Sequence, residues 1–182
     1  MYPPHFIKTM VLLIAAMVPT QVNAGSNNHH HEHKPHVHGV SEIQLVMSEH
    51  QIELNFESPA NNILGFEHSA QSPKEKQKVL AAKEILSTAA SLFTFKGTTC
   101  SPSPSVININ SLLQKREKKH HEISAQYRFT CDSVNELESI QIQLFNYFEN
   151  IAEIKIQWIS QYKQGMEILT PNKQLLNTGQ LL

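Results

Sequence analysis

Apolar residues fall at every second position where the folded part of this chain begins. Ile43, Leu45 and Met47 keep that spacing, and Ile52, Leu54 and Phe56 repeat it after Ser48-Glu49-His50-Gln51. A period of two puts each set on one face of a strand, so the pair predicts a β-hairpin with one buried side. The stretch SPANNILGFEHSAQ (58–71) then reads as a loop rich in turn residues. Beyond it the period changes: Val79, Ala82, Leu86, Ala89 and Phe93 recur at helical spacing. Ser72 is the expected N-cap, Pro73 sits at the first helical position, and Glu75 completes a capping box, which predicts a helix running to about Phe93. Strands are expected at 106–110, at Ile123, Ala125, Tyr127, Phe129 and Cys131, at Ile140, Ile142 and Leu144, at Ile154, Ile156 and Trp158, and at 166–170. Ser133 to Glu136 reads as a second capping box before a short helix, and QYKQG (161–165) as a turn. About seven strands that do not alternate regularly with helices predict an α+β fold: a mostly antiparallel sheet with one long helix packed on a face.

The residues before the hairpin follow neither period. Lys8, the apolar run Met10 to Val18 and the small-x-small site Val22-Asn23-Ala24 form a signal-peptide pattern with cleavage near Ala24. The apolar run stops at Pro19, too short to span a bilayer. Residues 1–24 are therefore expected to be removed, 25–35 to be a disordered, His-rich tail, and 36–182 to form a single metal-binding domain, with the whole protein exported to the periplasm. A chain of 182 residues suits one domain with a real core. A formal net charge of −1, with Lys and Arg scattered among Asp and Glu, excludes the electrostatic footprint of a nucleic-acid binder. Export also decides how the two cysteines are read. In an oxidising compartment Cys100 and Cys131 most simply form a disulfide, closing a loop worth roughly 3–4 kcal/mol on the chain-entropy account. Zinc ligation by the thiolates is the weaker alternative, because no CxxC spacing is present.

What sets the composition apart is eleven histidines. Imidazole suits zinc, copper and nickel alike, so spacing alone leaves the metal open. His29, His30, His31 and His33 lie in polar sequence and could hold an ion only by ordering the tail, which predicts weak, adaptable sites. His36 and His38 adjoin the first strand. If extended chain continues back through Gly39, they share a face with Glu42 and Gln44 and could close on one ion; a break at Gly39 would remove that register. In the loop, His68 is a candidate third ligand, and Glu67 a fourth ligand or an outer acceptor. His120 and His121, in QKREKKHHE (114–122), could form a second, weaker site with Glu122, while His50 reads as ordinary surface. HExxH and GxSxG are both missing, so a binding protein is expected and not an enzyme.

The set HVHG (36–39), ESPANNILGFEH (57–68), the capped helix beginning SPKEK, YRFTC (127–131) and EILTPN (167–172) resembles the ZrgA-like periplasmic zinc-binding proteins, from about His36 to Asn172. The resemblance implies a secreted bacterial protein that serves zinc import alongside an ABC-type transporter, an α+β fold, and zinc sites built from histidines. The positions that match are His36, His38, Glu67 and His68. Family members often carry a long His/Asp/Glu-rich insertion before the YRFTC strand, where this chain has only KKHHE. That departure puts a high-capacity zinc store at this position in doubt and shifts the role to the N-terminal tract. The functional expectation is capture of Zn²⁺ in support of import. The alternative is a periplasmic buffer or resistance protein that sequesters excess Zn²⁺ or another divalent transition metal.

Overall fold

A computed structural model describes residues 37–114, 121–179 and 181. The expected signal peptide, the tail, His36 and His120 lie outside the described residues.

The hairpin forms as its alternation predicts: β1 (Val40–Met47) pairs antiparallel with β2 (Gln51–Pro59), placing Ile43 opposite Phe56 and Leu45 opposite Leu54. β2 pairs in turn with β6 (Glu122–Cys131), whose residues Ile123, Ala125, Tyr127, Phe129 and Cys131 are all buried. These inward rows pin the register, because a slip of one residue would turn every apolar side chain of a strand to water. On the other side of β1 lies β8 (Glu153–Ile159), followed at the edge by β9 (Gln164–Leu169). The far edge of β6 is lined by β4 (Cys100–Pro102) and β5 (Val106–Asn108), which completes seven strands. The expectation of a mostly antiparallel sheet needs one correction. β1 and β8 run parallel, with Val40 beside Glu153 and Val46 beside Ile159, so the sheet is mixed. The cause is local: the Gly39 carbonyl accepts the N–H groups of Ala152 (2.7 Å) and Glu153 (2.9 Å), so β8 starts at the end where β1 starts.

A second sheet was not visible in the pattern. It is built from β3 (Phe93–Lys96), β7 (Ser139–Ile142) and β10 (Leu175–Asn177), in the order β10-β7-β3. These strands are too short to show a period. β3 was also masked by the helical spacing, which runs on to Phe93. The long helix α2 (Pro73–Ser87) has the capping box expected of it, with the Ser72 hydroxyl accepting from Glu75 N–H and the Glu75 carboxylate accepting from Ser72 N–H. It ends at Ser87, not Phe93. After Thr88 the chain makes the single turn α3 (Ala89–Leu92), and Phe93 enters a strand opposite Ile142. Other boundaries shift in the same way. Ile109 leads into a 3-10 turn at Asn110–Leu113, and Leu144 opens a short helix, α4 (Leu144–Tyr147), instead of extending β7. The box at Ser133 makes no side-chain cap bond and is followed only by a 3-10 turn at Val134–Glu136.

The buried faces of both sheets and of α2 share one core. Phe93 stands edge-on to Tyr127 (centroids 4.9 Å apart) and Phe95 to Phe129 (4.6 Å), joining the small sheet to the inner face of the large one. Each such ring contributes about 1.5–3 kcal/mol by leaving water, which outweighs the weak pairing of strands only three or four residues long. Cys100 and Cys131 are register partners across β4 and β6 and form a disulfide. Among the described residues, no helix is long and apolar enough to cross a membrane.

Candidate metal centre

Strand pairing brings three distant segments to one end of the large sheet. β1 begins there and β2 ends there. Ser58 and Pro59 pair with Ile123 and Glu122, so β6 also begins there. The chain leaving β2 does not form the plain loop expected for 58–71. It turns at once into α1 (Ala60–Leu64), whose first free N–H, from Ala60, is taken by the His121 carbonyl at 2.9 Å. Gly65 closes α1 in a left-handed conformation (φ 79°) and returns its N–H to the Asn61 carbonyl, the usual way a helix stops in order to reverse direction. Residues 66–69 then pass beside His38 and His121. Ala70 N–H donates to the Leu112 carbonyl at 2.8 Å and tethers the segment before α2 begins.

Gly39 decides where His38 points. Its φ of +83° is one that L side chains avoid, and an added Cβ would stand 3.2 Å from that of Ala152. The chain turns there, with Val40 N–H donating to the Val37 carbonyl at 3.1 Å. Extended structure therefore does not continue back through Gly39, and His38 does not share a strand face with Glu42 and Gln44. The turn instead carries the imidazole to the 66–69 segment, where His38 Nε2 lies 2.7 Å from Glu67 Oε1. Glu67 is the more shielded partner, at 19% exposure against 64% for His38.

The neighbouring histidines gather on the same segment but face different partners. His68 stacks on Phe66 with ring centroids 5.0 Å apart. Its Nδ1 lies 2.9 Å from the Ser69 carbonyl, and its Nε2 lies 3.8 Å from Glu75 Oε1. His121, the residue before β6, reaches the segment with Nε2 3.3 Å from Ser69 Oγ. Among the described residues no three His, Cys, Asp or Glu side chains stand together in a set that could hold a metal ion. His50 sits at the opposite end of the hairpin with Nδ1 2.9 Å from the Asp132 carbonyl.

These partners constrain ring chemistry. A carbonyl only accepts, so in neutral His68 the proton is on Nδ1 and the lone pair is on Nε2. A carboxylate also only accepts, so His38 donates from Nε2 to Glu67, and in the neutral ring the lone pair is on Nδ1. Two ligands on one tetrahedral zinc stand roughly 3.3 Å apart for metal–ligand bonds near 2.0 Å. The 2.7 Å separation of His38 and Glu67 is thus a hydrogen bond, the arrangement in which a carboxylate orients a metal-binding imidazole. Glu75 is drawn into the surroundings as well. The N–H groups of Ser72 and Gln71 hold its carboxyl below the ordinary carboxylate range, and His68 adds to the effect in the same direction.

The sequence pattern marks Glu75 only as a helix cap and carries no signal for Ser69. Asn62 is buried between Ala60 and Leu64, a placement that is legible only once α1 is recognised.

Comparison with curated proteins returned no match. The description "ZrgA family zinc uptake protein" matches residues 35–178, which take in every strand from β1 to β10. With that span matched, the chain belongs to the ZrgA family of zinc uptake proteins.

Proposed function

We propose that this protein binds Zn²⁺ as cargo in the periplasm and supports its import by an ABC-type transporter. The observation that carries the residue assignment is the 2.7 Å contact between His38 and Glu67, side chains 29 positions apart that the Gly39 turn and the α1 reversal bring together. In this reading His38 offers Nδ1 to the ion while Glu67 holds the ring. His68 offers Nε2 after swinging from Glu75, and His121 joins from the start of β6. Where a ligand ring already has its orienting partner, less freedom is lost on binding, so the folded site is the tighter one. His36 joins the folded set, and His29, His30, His31, His33 and His120 supply weaker, faster capture. The signal-peptide pattern ending at Ala24 and the Cys100–Cys131 disulfide support an exported, oxidising location.

A zinc titration of the full chain tests this reading. A variant with His29, His30, His31 and His33 changed to Asn should lose weak sites and keep the tight one. His38→Ala/His68→Ala/His121→Ala should lose the tight one, and binding as tight as wild type in that triple variant would refute the folded site. Glu67→Gln, which keeps an acceptor, should cost less than His38→Ala; an equal cost would make Glu67 a direct ligand.

A further inference from the structure

Three of the five buried polar residues among the described residues, Ser41, Ser58 and Asn62, form one network at the His38 end of the sheet. Ser41 Oγ lies 2.8 Å from Ser58 Oγ, and Asn62 Nδ2 lies 3.4 Å from Ser41 Oγ. Asn62 is 1% exposed, and both ends of its amide are directed at the segment that carries His38. Its Oδ1 accepts the Gly39 N–H at 2.8 Å, and its Nδ2 donates to the Val40 carbonyl at 2.9 Å.

These two bonds have a consequence for the site. Gly39 lies outside the ladder of β1, so its N–H has no strand partner, and a half-buried amide group left without one is costly. Asn62 supplies that partner from α1, the helix whose end leads directly to Glu67. One side chain therefore ties the carrier of His38 to the carrier of Glu67. Apolar packing could hold the two segments together, but only directed bonds to the N–H of one residue and the carbonyl of the next set the rotation of the turn. The Gly39 carbonyl, held by Ala152 and Glu153, closes the clamp from the β8 side.

We infer that Asn62 is a positioning residue for the metal site: it sets the Gly39 turn against α1 so that the His38 ring meets Glu67 and presents its free nitrogen to zinc. The inference rests on the zinc site proposed above.

The test is a zinc titration of the full chain, followed through the His38 ring signals by NMR and paired with thermal unfolding. Asn62→Ala should raise the half-saturating zinc concentration at His38 about tenfold or more, the scale seen when a group that orients a ligand is lost. Ser41→Ala removes a hydroxyl from the same network without touching Gly39 and should leave zinc binding nearly unchanged. Asn62→Gln keeps both amide groups one methylene out of place. It replaces the alanine variant if that one does not fold, and should weaken zinc binding in the same direction. A wild-type zinc response in the Asn62 variant would overturn the inference and leave the metal site standing. Equal losses in the Asn62 and Ser41 variants would also overturn it, since general loosening would then be the cause. His38 signals that ignore zinc in the wild-type chain would overturn the site, and the inference with it.

Discussion

The two ends of the β1–β2 hairpin both carry histidine, yet only one is built like a binding site. At the turn end, His50 bonds the Asp132 carbonyl, and the backbone around it is tied down by Cys131 N–H on the His50 carbonyl and Val134 N–H on the Glu49 carbonyl. The ring's partner there is a backbone carbonyl and not a carboxylate, and the nearby staple is the disulfide. At the open end, His38 has a carboxylate on its ring, two further histidines lie along the same segment, and a buried polar layer of Ser41, Ser58 and Asn62 sits in the strands and helix that carry them. The difference separates a histidine from a ligand. An imidazole becomes a useful ligand when a second group fixes its tautomer and orientation and other donors can converge on it.

The strongest way to break the comparison is to cut the staple. Cys100→Ser/Cys131→Ser should lower stability by roughly 3–4 kcal/mol in denaturant unfolding while leaving zinc affinity nearly intact, because the disulfide lies at the end away from His38. A large fall in zinc affinity would show that the ends are coupled. Next in size is the histidine contrast itself. His38→Ala should weaken the tight zinc site about 100-fold, at the upper end of what loss of even an orienting partner costs, whereas His50→Ala should leave calorimetric titrations unchanged. Equal effects would erase the distinction.

Acidity should act on the open end in the same sense. Protons compete for the lone pairs that zinc needs, so affinity should fall about tenfold for each coordinating histidine between about pH 7.5 and about pH 5.5. An affinity equal at both values would exclude histidine ligation. The smallest effect concerns the helix that follows the site. Ser72→Ala removes half of the capping box and should cost about 1 kcal/mol of thermal stability. Glu75 provides the other half. Its carboxyl is held below its ordinary range, chiefly by Ser72 N–H, so its contribution is complete above the unfolded carboxylate pKa and disappears as pH falls through the lowered folded value. Glu75→Gln should therefore flatten that part of the stability–pH curve. An unchanged curve would mean the box contributes nothing.

Long, strictly periodic segments were legible from residues alone. β1, β2, β6 and the start of α2 lie where Ile43, Ile52, Ile123 and Ser72 indicate, because alternation and capping are local requirements that any fold of this chain must meet. Short elements were not. β3, β4 and β10 have three or four residues each, and their pairing energy comes from partners far along the chain. α1 was hidden within a stretch of turn formers, since its five residues make sense only against the His121 carbonyl and the Gly65 reversal.

The same division runs through the site. Composition alone marks this protein as histidine-rich, and the motifs at 36–39 and 57–68 place His38 and Glu67 among its candidate ligands. Chemistry of that kind is carried by residue type and needs no coordinates. That His38 meets Glu67, that His121 comes to Ser69, and that Asn62 bonds Gly39 and Val40 were decided only by tertiary structure. Each depends on a positive φ at Gly39 or on a backbone group left without a ladder partner. Such groups find their partners through the packing of distant segments, which no local pattern records.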